Sequence, residues 1–172
     1  MSRPKQGIAL SILSTMLSGC LGTPENVTVI EDFELERYLG TWHEIARLDH
    51  RFERGMIDVQ AQYSLREDGG VRVVNRGFRE KDGEWSEAVG KAYFIDSPDI
   101  GRLKVSFFGP FYGAYNIVDL EQESYSYAMV TGPNTGYLWI LARDPHLDQA
   151  IVDRLVTKAE SLDFPVNELI YP

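Results

Sequence analysis

Cysteine is nearly absent from this 172-residue sequence, which has one, Cys20. A single thiol excludes an intramolecular disulfide, so packing alone must hold the fold. Histidine is almost as scarce, with only His43, His50 and His146. His43 and His50 stand seven residues apart near Asp49 and Glu53. That spacing matches neither a helical i, i+4 pair nor a tight Cys/His metal motif. There is no G-x-S-x-G elbow and no phosphate loop, and nothing supplies an activated nucleophile. No catalytic residue, metal or cofactor is expected. Positive charge is short too: 17 Lys and Arg face 26 Asp and Glu, for a formal net charge of −9. That balance argues against nucleic acid as a partner and against adhesion to anionic lipid by bulk charge.

Long apolar runs are missing except at the start. Arg3 and Lys5 precede an apolar stretch from Gly7 to Leu17, and Ser18 and Gly19 follow. The stretch is too short for a resident membrane helix and reads as a secretory signal. Leu17-Ser18-Gly19-Cys20 resembles the bacterial lipobox, in which the cysteine thiol is acylated and becomes the first residue of the mature chain. An ordinary leader with an incidental cysteine is the alternative. Two or three acyl chains on Cys20 would anchor firmly, since each buried methylene contributes about 0.8 kcal/mol. By analogy with the sorting of such lipoproteins, Leu21 favours the outer membrane of a Gram-negative bacterium, with the protein on its periplasmic face. Without Arg3 and Lys5, 15 basic residues remain against 26 acidic ones, a formal charge of −11. Any lipid headgroup must therefore be met by local cations. The expected division is a signal peptide over 1–19, a lipidated tether over 20–32 and one domain over 33–172.

The domain is punctuated at short intervals. In "IDVQAQYSLR" the apolar positions Ile57, Val59, Ala61, Tyr63 and Leu65 alternate with polar ones. Asp68-Gly69-Gly70 supplies a hairpin turn, and "VRVVNRGFR" answers it before a second turn at Asp82-Gly83. The runs "GKAYFID", "RLKVSFF", "YGAYNIVDLE", "YSYAMVTG" and "YLWILAR" continue the series. With "LGTWHEIARL" the total is eight strands, nearly all joined as hairpins. Such a meander suits an all-β, eight-stranded antiparallel up-and-down β-barrel, which removes both sheet edges. Asp148 can cap one helix, whose stripe is Ile151, Val152, Leu155, Val156, Ala159 and Leu162, before Pro165 ends it. That helix would lie outside the barrel, and "NELIYP" can add a short final strand.

Gly40-Thr41-Trp42 on the first strand and Arg143 on the last resemble the lipocalin family. "YLGTWHEIARLDHRFERG", "GKAYF", "KVSFFGPFYGAYN" and "YLWILAR" are similar to its bacterial outer-membrane lipoproteins, relatives of apolipoprotein D. The resemblance spans about residues 33–172. It departs at Leu120-Glu121-Gln122, where the family carries T-D-Y. The resemblance implies that Trp42 closes the barrel, covered by Arg143 and by the turn around Leu35 and Leu39, with Gly40 letting the backbone bend in close.

An eight-stranded barrel either fills with side chains or holds one small ligand. Read by alternation, the lining includes Val59, Ala61, Tyr63, Val71, Val73, Leu103, Val105, Phe107, Tyr115, Ile117, Tyr137 and Trp139. The small Ala46 and Ala61, with aromatic mouth loops, favour a cavity. By resemblance its ligand is a fatty acid or a lysophospholipid, bound for lipid storage or transport and membrane maintenance under stress. Arg47, Arg51 and Arg54 form a candidate headgroup site, unless Asp49 and Glu53 neutralise them. Glu44 shares parity with Trp42 and should be buried against an arginine or hydroxyl. The alternative function is a structural or assembly lipoprotein with a filled barrel that docks a protein partner. Monomer and dimer both remain open.

Overall fold

The computed structural model describes residues 21–172; Cys20 and the expected leader lie outside the described residues. Eight strands form the wall: β1 (Gly40–Leu48), β2 (Met56–Leu65), β3 (Val71–Arg79), β4 (Glu84–Phe94), β5 (Arg102–Phe108), β6 (Phe111–Leu120), β7 (Tyr127–Thr131) and β8 (Leu138–Ala142). Each pairs antiparallel with the next, and β1 pairs with both β8 and β2, so the sheet closes. A short helix, α1 (Leu35–Tyr38), precedes the barrel, while α2 (Gln149–Ser161) and β9 (Leu169–Ile170) follow it. The eight-stranded up-and-down architecture expected from the hairpin punctuation is the one observed.

The boundaries differ where polarity hid a strand. The apolar run "GKAYFID" marks only the inner half of β4, which begins at Glu84 just after the Asp82-Gly83 turn. Its outer half, Glu84 to Val89, is mostly exposed, so burial left no alternation to read. The described part of the tether, residues 21–32, is hydrogen-bonded to the barrel. Arg102 Nη2 donates to the Leu21 carbonyl at 2.9 Å and Asn116 Nδ2 to that of Gly22 at 3.1 Å. Ile30 N–H donates to the Ile117 carbonyl at 2.9 Å, and Pro24 is buried. Residues 21–32 thus run bound to the barrel wall.

Two apolar layers flank that wall. Outside, α2 lays Leu155 and Ala159 against Ala46, Met129, Leu138 and Ile140, and Val152 on the same helix is buried as well. Asp148 caps the helix by accepting from Ala150 N–H at 2.8 Å. Asp119 on β6 pins it through Arg154 at 3.1 Å and Lys158 at 2.7 Å. Inside, Phe33, Tyr38, Trp42, Ile117 and Tyr125 pack across the closed end. At Gly40, φ is +97°, and a Cβ there would come within 3.3 Å of Arg143 Nη1. Glycine is the residue that accepts both conditions.

Candidate functional site

Trp42 is fully buried at the base of the barrel. Its indole N–H donates to the Tyr38 carbonyl at 2.8 Å, and the Tyr38 ring lies 4.6 Å away, centroid to centroid. The Arg143 guanidinium sits 4.0 Å over the indole, a contact worth about 0.5–2 kcal/mol. It also donates to the carbonyls of Tyr125, Thr41 and Arg37. Gly40, Trp42 and Arg143 are thus brought together as one closure. Tyr38, which opens the quoted motif but has no role assigned there, adds its ring to the cover beside Leu35 and Leu39, which pack against the same cluster.

Above this floor the barrel is hollow, with a cavity of about 740 Å³. The filled-barrel expectation therefore does not describe this interior. Val59, Ala61, Tyr63, Leu103, Val105, Phe107, Tyr115, Tyr137 and Trp139 all line the cavity, as do Val71 and Val73. Ile117 does not. It is fully buried in the packed layer with Phe33 and Trp42, where Ile30 presses in from the N-terminal segment. Ala46 is a second correction, since it belongs to the outer core beneath α2. The cause is a register shift between Glu44 and Ala46 in the β1–β8 pairing. One extra residue in a strand reverses the facing of every side chain beyond it.

The same shift explains the fate of Arg47. Trp42 and Glu44 face inward before it, and Arg47 is buried after it, so Glu44 and Arg47 meet as a buried ion pair. Arg47 Nη2 then donates to the Glu53 carbonyl at 3.0 Å and the Met56 carbonyl at 3.2 Å. Arg47 therefore pins the β1–β2 loop over the cavity and is not free to meet a headgroup. Arg54 is also diverted, pairing with Asp49 at 2.8 Å on the exposed side of the loop. Only Arg51 of the three lines the cavity, at its lip beside Phe52.

The loop returns its own acid to the site. The Glu53 carboxylate accepts from the Trp139 indole at 3.1 Å and stands 3.0 Å from His50 Nε2. Burial raises the Glu53 pKa, but His50, Trp139 and Arg47 outweigh it and hold the group below the ordinary value. Burial and the Glu53 charge push Glu44 the other way, up to about 8 despite Arg47. Glu44, His50 and Glu53 line one side of the cavity. The loop sequence "LDHRFERGM" contained both His50 and Glu53, but alternation cannot report where a loop folds back. Among the described residues, no group of His, Cys, Asp or Glu is arranged to hold a metal ion.

A model of the lipocalin-like domain matches residues 33–172. The outer membrane lipoprotein Blc of Vibrio cholerae is 53% identical over 166 residues, covering 96% of this chain and 97% of that protein. Its counterpart in Escherichia coli K12 is 49% identical over 148 residues, covering 86% and 83%. Apolipoprotein D of Macaca fascicularis is 31% identical over 178 residues, covering 94% and 93%. Among solved structures, insecticyanin from the tobacco hornworm Manduca sexta superposes with a TM-score of 0.67 at 20% identity, covering 87% and 85%. That last likeness speaks for the fold alone.

Proposed function

This chain belongs to the lipocalin family, and on that premise we propose that it is an outer-membrane lipoprotein that reversibly holds a fatty acid or lysophospholipid. The leader would be cleaved before Cys20, whose acylated thiol is the anchor on the periplasmic face. Residues 21–32, bound along the wall, then keep the barrel close to that membrane. The role is lipid storage or transport in support of the membrane under stress.

The observation that carries this reading is the apolar cavity of about 740 Å³ opening at the end opposite Trp42. Burying a dozen methylenes there contributes on the order of 10 kcal/mol gross. Lost motion consumes much of it, which leaves affinities around micromolar or tighter. A flexible hydrocarbon tail fits such a tube, and Arg51 at the lip suits the phosphate or carboxylate that remains in water. Native mass spectrometry of the purified full chain tests the reading. A stoichiometric co-purifying lipid, or uptake of one added palmitate, supports it, and a barrel that stays empty under both conditions counts against it.

A further inference from the structure

The floor of the cavity carries a polarity that hydrocarbon burial leaves unused. Tyr38 from α1, Tyr63 from β2 and Tyr115 from β6 all line the cavity. Tyr115 Oη lies 2.8 Å from Tyr38 Oη and 2.9 Å from Tyr63 Oη. Among the described residues these hydroxyls make no other hydrogen bond. Each phenol brings one proton to donate. Two contacts use two protons, whichever hydroxyl donates in each, and the third is left without an acceptor. Burial pushes all three phenols above their ordinary pKa, so each keeps its proton. A buried donor with no partner is costly, and the group that removes the cost must come from inside the cavity.

We infer that the Tyr38–Tyr115–Tyr63 cluster is a recognition site for a neutral oxygen acceptor, a carbonyl or ether oxygen, at the end of the lipophilic ligand that reaches the floor. The inference rests on the cavity being a lipid site and adds a preference within that class: a plain fatty acid still binds by its tail, and a chain that carries an oxo or ether oxygen at its inner end binds more tightly. A bare methyl there leaves the surplus proton unmet. An ionised carboxylate there lacks a counter-charge, because the guanidinium at this end, Arg143, is engaged by the Trp42 ring and three backbone carbonyls. A buried charge without a partner is far costlier than a neutral oxygen. A carbonyl accepts the spare proton and demands no donor back.

Proton counting makes the test discriminating. Replacing Tyr38, Tyr63 and Tyr115 together by Phe keeps the rings and removes every donor. The full chain carrying Cys20→Ser, so that no acyl group competes, is loaded with the neutral fluorophore N-phenyl-1-naphthylamine. It is then titrated with undecan-2-one and with n-undecane. The triple variant should weaken the ketone by on the order of tenfold. It should leave the alkane within about twofold. Equal weakening of ketone and alkane, or of neither, overturns the inference. Failure of both to displace the fluorophore from the parent chain overturns the reading of the cavity itself. If the triple variant does not fold, the infrared band of carbon-13-labelled undecan-2-one bound to the parent chain decides. A carbonyl band below its position in hydrocarbon solvent supports the site, and a band at that position refutes it.

Discussion

At the closed end of the barrel, Trp42 is fully buried, and Tyr38 and Arg143 cover it; at the open end, Phe52, Phe108 and Phe111 are 56%, 75% and 79% exposed. The polar groups differ in the same sense. The floor holds three neutral phenols joined through Tyr115, whereas the wall toward the lip holds Glu44, Arg47, His50 and Glu53 as a buried cluster of ionisable groups. Stability is thus concentrated at one end and adaptability at the other. Substitutions at the floor should register chiefly in unfolding, and those at the lip chiefly in binding.

The largest effect belongs to the floor. Trp42→Ala removes the closing indole, its bond to Tyr38 and the surface under Arg143. A loss of about 3–5 kcal/mol is expected in urea unfolding. A loss no larger than that of an exposed substitution would erase the contrast between the two ends.

The ionisable cluster should give an intermediate effect that depends on pH. Glu44 unfolded releases its proton near its ordinary 4.5, while in the folded chain it holds the proton to about 8. Between those values the folded state binds more protons, so rising pH withdraws stability through this group. Glu53, held below its ordinary value, works oppositely, and its contribution fades only as the solution is acidified. Glu44→Gln should therefore flatten the fall in urea midpoint between pH 5 and pH 8. Parallel pH profiles for parent and variant would contradict the assignment.

The smallest effect on folding is expected at the lip. Arg51 lines the cavity but is exposed. Arg51→Ala should change stability by less than about 0.5 kcal/mol. Lysophospholipid affinity should weaken by a few-fold, roughly 1 kcal/mol for one exposed charge contact. A displacement titration of the variant reads the second number, and a thermal scan reads the first.

The two ends were also unequally legible in the sequence. Alternation and turn residues placed the hairpins, and they placed most of the lining, because a wall with one apolar face writes a period of two into its residues. Trp42 and Arg143 were placed by their motif. What failed is local and has a physical reason in each case. A single register shift in β1 carried Ala46 to the outer core and buried Arg47, and no composition rule marks such a shift. Ile117 keeps the inward pattern but lies in a layer closed by the N-terminal segment, a contact far away in sequence. The tyrosine cluster draws one ring each from α1, β2 and β6, so it exists only once the sheet has closed.

The central claim is that a hydrocarbon tail occupies the interior above Trp42, and blocking that interior tests it most directly. Ala61 lines the cavity with a small side chain, so Ala61→Trp should fill it while leaving the floor and the lip in place. Palmitate titrated into the parent chain should saturate at one per barrel, and the filled variant, if still folded by thermal scan, should bind roughly tenfold or more weakly. Equal affinity in both chains would put the ligand somewhere other than the barrel.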